Sequence, residues 1–168
     1  MKKIFFILLL VTGVTFCQSN SNAGVNSLYS LTTGYHDSAF GLNALYFTNT
    51  GFGNTGFGND VLYYNTIGSQ NTGAGDKAGK FISGFSVANK ASIGSIYLGY
   101  GTQALADTDT CEVVIGYKAV GHGDHTVTLG DTLNTSVYLN GHVIATFDSA
   151  TAKTGQVYKN YQNYLMVK

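Results

Sequence analysis

Two short segments have the residue types and spacing that a catalytic or binding site needs. Gly51–Gly56 matches Gly-x-Gly-x-x-Gly, the turn that binds dinucleotides when a helix and then an acidic residue follow it. No helical periodicity follows here, and each glycine belongs to a repeated column, so we assign this segment to the repeat. His122-Gly123-Asp124-His125 contains metal-ligand types. Asp and His are also common at chain corners, and we interpret this segment as a polar corner between two turns, with no bound metal.

Acidic pairs suited to hydrolysis are scarce. Asp107 and Asp109 lie close together, but the segment Ala104–Thr110 has the composition of a solvated turn. Glu112 is the only glutamate, and glycoside hydrolysis needs two facing carboxyl groups. We therefore predict no catalytic residues, no cofactor and no enzyme activity.

Aromatic residues recur once per 17 residues and are the better candidates for binding. The low-specificity surface candidates are Tyr46, Phe47, Tyr63, Tyr64 and Phe81. Because neighbours in a strand face opposite sides, we expect one column to lie inside or at a subunit seam and the other to be exposed. An exposed tyrosine column suits binding of sugars or proteins. The alternative is that the columns only stabilise the stacking of turns or a subunit interface.

An internal repeat dominates the chain. The two glycine columns with a spacing of 17 residues are Gly34, Gly51, Gly68 and Gly41, Gly58, Gly75. The spacing then widens to 24 at Gly99, returns to 17 at Gly116 and contracts to 14 at Gly130. Glycine and asparagine at fixed intervals allow tight corners. The pattern predicts a parallel β-solenoid with small or branched inward residues, namely Ala44, Val61, Ala78, Val114 and Ile115.

Composition supports the same class. The 168 residues carry zero formal net charge, with 22 Gly, no Pro and no Arg. A surface that binds nucleic acid needs clustered cations, so we expect no nucleic-acid partner. The 44% hydrophobic content is too high for a disordered chain. Proline would remove a ladder hydrogen bond, so its absence fits strands that are paired on both sides.

Both ends differ from the repeat. Lys2 and Lys3 before the apolar run Ile4–Val14 indicate a signal peptide over 1–17, with lipidation of Cys17 as the alternative. This run is too short to span a membrane, and no second run is long enough. Removal of Cys17 would leave Cys111 without an intramolecular partner. We expect a flexible segment over 18–27, the roll over 28–143, and a linker with a C-terminal hairpin over 144–168.

Two hairpins are expected near the C-terminus. Thr135–Gly141 alternates and ends in Asn140-Gly141, a strong hairpin turn. Gln156–Lys159 and Tyr164–Lys168 have the pattern of a terminal strand pair.

The segment Gly116–Gly130, G-Y-K-A-V-G-H-G-D-H-T-V-T-L-G, resembles the 14-residue head repeat of the YadA-like trimeric autotransporter adhesins. The longer units, with N-T-G-F-G, resemble a 17-residue variant of bacterial surface proteins and phage tail fibres. The resemblance covers Leu28–Val143 and implies an all-β, left-handed parallel β-roll of 14- to 17-residue repeats that forms a homotrimer.

The resemblance also implies a function. It indicates a non-enzymatic secreted or cell-surface adhesin head that attaches to a host surface protein, glycan or matrix. The alternative is a structural segment of a phage tail fibre, located in the virion. A third possibility, a glycan-cleaving β-solenoid enzyme, would require acids from neighbouring turns to converge.

Overall fold

The computed structural model describes residues 19–131 and 133, and the backbone of two later strands at 157–159 and 165–167. The expected signal peptide with Cys17, most of the linker and the Asn140-Gly141 turn lie outside these described residues. The chain divides into two compact units, Met1–Asn134 and Thr135–Lys168, which are described separately.

The first unit contains one parallel sheet of seven three-residue strands, paired in sequence order. The strands are β1 Ser21–Ala23, β2 Ser38–Phe40, β3 Thr55–Phe57, β4 Thr72–Ala74, β5 Ile96–Leu98, β6 Val113–Ile115 and β7 Val127–Leu129. Each strand pairs with the next one along the chain, so that Ala39 lies opposite Gly56 and Gly73 opposite Tyr97. The predicted all-β parallel solenoid is confirmed. The sheet begins at Ser21, before the expected boundary at Leu28, because β1 pairs in register with β2.

The second unit contains β8 Val157–Lys159 and β9 Leu165–Val167, which pair antiparallel. Their positions match the terminal strand pair expected from the alternation of the sequence.

Glycines at the ends of the strands allow the turns to stack closely. Gly41 follows β2 with φ of +135° and faces the carbonyl of Gly58, which a Cβ at position 41 would overlap. Two non-glycine residues of the following turn, Asn43 and Leu45, also adopt a left-handed conformation with φ of 53°. A positive φ is uncommon for residues other than glycine. The chain therefore turns sharply between strands without proline.

The core is a thin column between the sheet and the facing turns. Ala44, Val61, Ala78 and Val114 are fully buried, as predicted. The prediction for Ile115 is wrong, since its side chain is 36% exposed. It follows Val114 in β6, and neighbouring strand residues face opposite sides, so only one of the two faces the core.

The widest spacing of the repeat contains an extra loop. Within it, Ile82 N donates to Val87 O at 2.9 Å, and Phe81 bridges antiparallel to Ala88. The chain then re-enters the sheet with Tyr97, which is completely buried at a position where β2, β3 and β4 have alanine or glycine. The extra residues therefore leave the register of the sheet intact.

A buried polar column runs beside the sheet, one residue before each strand. Its members from β2 to β6 are Asp37, Asn54, Asn71, Ser95 and Glu112, each completely buried. Asn54 Oδ1 accepts the backbone N–H of Asn71 at 3.1 Å, and Asn71 Oδ1 accepts that of Ser95 at 3.0 Å. Buried backbone groups need such partners. The column therefore connects each turn to the next by side-chain hydrogen bonds.

Candidate binding surface

The aromatic candidates lie in the turn after each strand. Strand alternation does not apply to Tyr63 and Tyr64, because the segment Val61–Tyr64 is a turn. Leu62, with φ of 48°, interrupts the alternation. Val61 and Leu62 both point inward, and Tyr63 and Tyr64 both lie partly exposed. Neither Tyr63 nor Tyr64 therefore lies inside the solenoid, and the alternative position at a subunit seam stays a prediction.

The rings form two parallel stacks at the surface. In the first, Tyr46 lies between Tyr29 at 5.0 Å and Tyr63 at 5.1 Å, measured between ring centroids. In the second, Phe47 stacks on Tyr64 at 5.8 Å, and Phe81 follows Tyr64 at 5.7 Å with a tilted ring. The stacks contact each other edge to face, as between Tyr63 and Tyr64 at 4.8 Å. All five candidates therefore belong to one continuous aromatic surface.

Lys80 closes the first stack. Its ammonium lies 4.4 Å from the centroid of the Tyr63 ring and 2.9 Å from Asp60 Oδ2. Asn43 donates to the other oxygen of Asp60 at 3.0 Å. Burial alone would raise the pKa of Asp60, but the hydrogen bonds from Asn43 and Lys80 outweigh it and lower the pKa. Asp60 therefore stays ionised and holds Lys80 over the ring.

This packing decides what the aromatic surface can bind. Tyr46 has a ring on each side, and Tyr63 has Tyr46 on one side and the Lys80 ammonium on the other. Sugars bind aromatic residues by stacking on a free ring face, and neither residue offers one. Both residues are partly exposed. Burial first, and then Tyr46, Tyr64 and Asp60, raise the pKa of Tyr63, so its hydroxyl stays protonated and can donate a hydrogen bond.

Other aromatic pairs have the same geometry. Tyr100 and Tyr117 stack at 5.3 Å between ring centroids, with Lys118 Nζ at 5.2 Å from the Tyr117 ring. Phe40 and Phe57 stack at 5.1 Å on the outer face of the sheet. Sequence reasoning missed both pairs as sites, although their members are one repeat apart and that spacing was available as a signal.

The segment His122–His125 is a corner between two turns. Asp124 Oδ1 accepts the backbone N–H of Thr110 at 2.6 Å. The backbone and side-chain hydrogen bonds from Thr110 lower the pKa of Asp124. His122 Nδ1 contacts Thr128 Oγ1 at 3.0 Å. The Asp124 carboxylate is thus hydrogen-bonded to the previous turn. In the part of the chain that the structure describes, no three potential metal ligands are grouped together.

The glycine motif Gly51–Gly56 and the acidic pair Asp107 and Asp109 are parts of the solenoid backbone arrangement. Gly51–Gly56 runs directly into β3 and is followed by a turn. Asp109 Oδ2 accepts the N–H of Ala106 at 2.6 Å, while Asp107 accepts the N–H of Lys90. Each of the two carboxylates is therefore bonded to a different backbone segment.

A shallow groove of about 700 Å³ lies at the β7 end of the sheet. Its polar lining includes Lys118, His122 and Asp131, and its apolar lining includes Leu105 and Leu129. None of the aromatic candidates lines it. The groove and the aromatic surface are therefore separate features.

Comparisons with protein-family models, with curated proteins and with solved structures find no match. Within the described residues, no helix is both long and apolar enough to cross a membrane.

Proposed function

We propose that the chain is a non-enzymatic fibre or adhesin head, secreted or held at a bacterial surface, in which three copies pack side by side as left-handed β-rolls. The resemblance in the sequence suggests this arrangement. One observation in the structure supports it most directly, and it concerns the outer face of the seven-stranded sheet.

That outer face is uncharged over its whole length, and its third positions are apolar in every strand, whereas the first positions of β1–β4 are Ser or Thr. The first and third residues of β1–β7 are Ser, Thr, Ala, Phe, Ile, Leu or Val, without one ionisable side chain. Phe57 is 49% exposed and Val127 is 67% exposed. The paired third positions continue from Phe40 and Phe57 through Ala74 and Leu98. The face is therefore one continuous stripe.

A covered face is the expected state of such a sheet. Parallel sheets in soluble proteins generally bury both faces, and a large exposed apolar patch marks an interaction surface. We commit to further copies of this chain as the occupant. A stripe without charge has no like-charge repulsion against itself, and copies of equal length cover it completely. The repeat then places identical contacts at every turn.

Size-exclusion chromatography with light scattering on the purified protein tests the assembly. We expect a trimer that dissociates in the variant Phe57→Lys, because each copy would bury a charge in the seam. The matched control is Ile67→Lys, since Ile67 is exposed and lies outside the strands. A folded monomer for the unaltered chain would overturn the proposal.

Attachment would then depend on many weak contacts along a rod, where avidity replaces single-site affinity. Binding of the intact trimer to host cells, matrix proteins and glycans tests this part. Binding that disappears when the trimer dissociates supports an adhesin, whereas intact trimers that bind none of them refute it.

The second candidate function is a structural fibre segment, as in a phage tail fibre. The ring faces of Tyr46 and Tyr63 are covered by their own neighbours, which favours a stabilising role for the stacks. Intact trimers without any binding are the result that this candidate predicts.

A further inference from the structure

The buried polar column repeats one hydrogen-bond arrangement in successive turns. Asn54 Nδ2 donates to the carbonyl of Gly68 at 2.9 Å, and Asn71 Nδ2 donates to the carbonyl of Ser92 at 2.6 Å. At both positions, the side-chain oxygen accepts a backbone N–H of the next turn. Each amide therefore uses both its donor and its acceptor side.

Asp37 occupies the same place one turn earlier but has no amide. Its Oδ1 accepts the N–H of Asn54 at 2.8 Å and Asn54 Nδ2 at 3.0 Å. Its Oδ2 is buried and has no hydrogen-bond partner among the residues that the structure describes, and the whole residue is 0% exposed. The unpartnered oxygen stands where the next turns have an N–H donor.

A glycine lies beside each of Asn54 and Asp37, and its surroundings show which carbonyl oxygen the side chain faces. A Cβ on Gly51 would overlap the carbonyl oxygen of Gly68 and lie 3.2 Å from Asn54 Nδ2. A Cβ on Gly34 would overlap the carbonyl oxygen of Gly51 and lie 3.2 Å from Asp37 Oδ2. The second arrangement repeats the first one turn earlier. Asp37 Oδ2 therefore faces Gly51 O as Asn54 Nδ2 faces Gly68 O.

Two acceptor oxygens cannot bond without a proton between them. We propose that Asp37 takes up one proton from water when the chain folds and donates Oδ2–H to the carbonyl of Gly51, so that acidification strengthens the first turns of the solenoid. The proton completes the column in the way that the amides of Asn54 and Asn71 complete it in the following turns. The ionised form leaves a buried carboxylate against a carbonyl, which is costly.

The surroundings of Asp37 are consistent with proton uptake. Burial is the largest influence and raises its pKa, against the hydrogen bonds from Asn54 and the charge of His36, which lower it. Its other partner in the column, Asn20, is uncharged and accepts the N–H of Asp37 at 2.7 Å. Among the described residues, His36 is thus the ionisable neighbour that a test must control.

The sign of the pH dependence follows from this direction. An acid with a raised pKa in the folded state contributes stability that is complete below its unfolded pKa and is lost as the pH rises through the folded value. The window therefore begins near the ordinary value of 3.8 and extends upward. This device is independent of trimer formation and of attachment.

The test measures the melting temperature of the full chain between pH 4 and pH 7. Asp37→Asn supplies a permanent N–H donor of the same shape, and we expect it to raise the melting temperature at pH 7 by a few degrees. At pH 4 the two proteins should melt at nearly the same temperature. The reciprocal variant, Asn54→Asp, should lose stability at pH 7 and recover part of it on acidification.

Two controls make the outcome decisive. His36→Gln should retain the dependence of the unaltered protein, which separates Asp37 from the histidine. Carbon-13 NMR of the Asp37 carboxyl should show protonation well above pH 3.8. A carboxyl that titrates at or below that value, or an Asp37→Asn variant with an unchanged pH profile, overturns the proposal.

Discussion

Tyr97 occupies the space that Gly79 leaves open. A Cβ at position 79 would lie 2.6 Å from Tyr97 Cδ2 and 2.7 Å from Leu62 Cδ2. In the two preceding turns the equivalent positions hold Leu45 and Leu62, which fill the core themselves. The exchange of a leucine for glycine in one turn thus accommodates a large ring in the next.

The variant Gly79→Ala should therefore be strongly destabilised. Gly79 has φ of +64°, and alanine would add both backbone strain and overlap with Tyr97. We expect a loss of about 2–4 kcal/mol in the free energy of unfolding, measured by urea denaturation. Gly53→Ala is the matched control, because Gly53 has φ of +67° but open space, with its nearest neighbour at 3.6 Å. Equal losses in the two variants would contradict the packing argument.

The buried polar column should be sensitive to loss of a single amide. Asn71→Ala removes the acceptor of the Ser95 N–H and the donor to Ser92 O. Since both backbone groups are buried, we expect a loss of about 2–4 kcal/mol, seen as a lower urea midpoint. Asn59→Ala removes an exposed bond to Asp76 and should change stability by less than about 0.5 kcal/mol. A small effect at position 71 would mean that water replaces the amide.

Glu112 should respond to pH in the same direction as Asp37, because burial is the largest influence on both carboxyl groups. Burial and then the charge of Asp109 raise its pKa, although Gly123 N donates to Oε1 at 2.8 Å. Stability contributed by the protonated form is present below the ordinary value of 4.5 and is lost as the pH rises through the folded value. Glu112→Gln keeps the bond from Gly123 and should raise the melting temperature at pH 7 more than at pH 4. An equal change at both pH values would contradict this assignment.

Lys80 should stabilise the aromatic surface through its charge. Lys80→Met keeps most of the apolar chain but removes the ion pair with Asp60 and the contact with Tyr63. We expect a loss of about 1–2 kcal/mol at low salt, and a smaller loss in 1 M salt. Lys90→Met, at an exposed lysine, is the control and should have little effect. The change should also raise the pKa of Asp60, which NMR can measure.

Much of the fold could be predicted because glycines that are one repeat apart in the sequence lie next to each other in the stacked turns. Gly41 and Gly58 are neighbours in space for the same reason that they align in the sequence. The positions of Ala44 and Val61 in the core follow from that register. The sequence predicts both Val114 and Ile115 in the core because they are equally apolar, and only the pairing of β6 decides which one faces inward.

The parts that could not be predicted depend on conformation rather than on pattern. A leucine such as Leu62 rarely has positive φ, so the turn that places Tyr63 and Tyr64 on one side has no signal in the sequence. The polar column was visible as aligned Asn54 and Asn71, but asparagine is equally common at exposed corners. Burial, which distinguishes the two, depends on the complete solenoid.

The close approach of Gly41 to Gly58 also bears on how such a chain changes its length. The turns that begin at these two glycines have the same strand register and interchangeable ends. Duplication of one of these units would lengthen the rod by about 4.8 Å and create no unmatched surface. A unit inserted between Gly79 and Tyr97 would separate a ring from the space that receives it. Duplication of a repeat unit is therefore compatible with the packing before Gly79, and it is unfavourable between Gly79 and Tyr97.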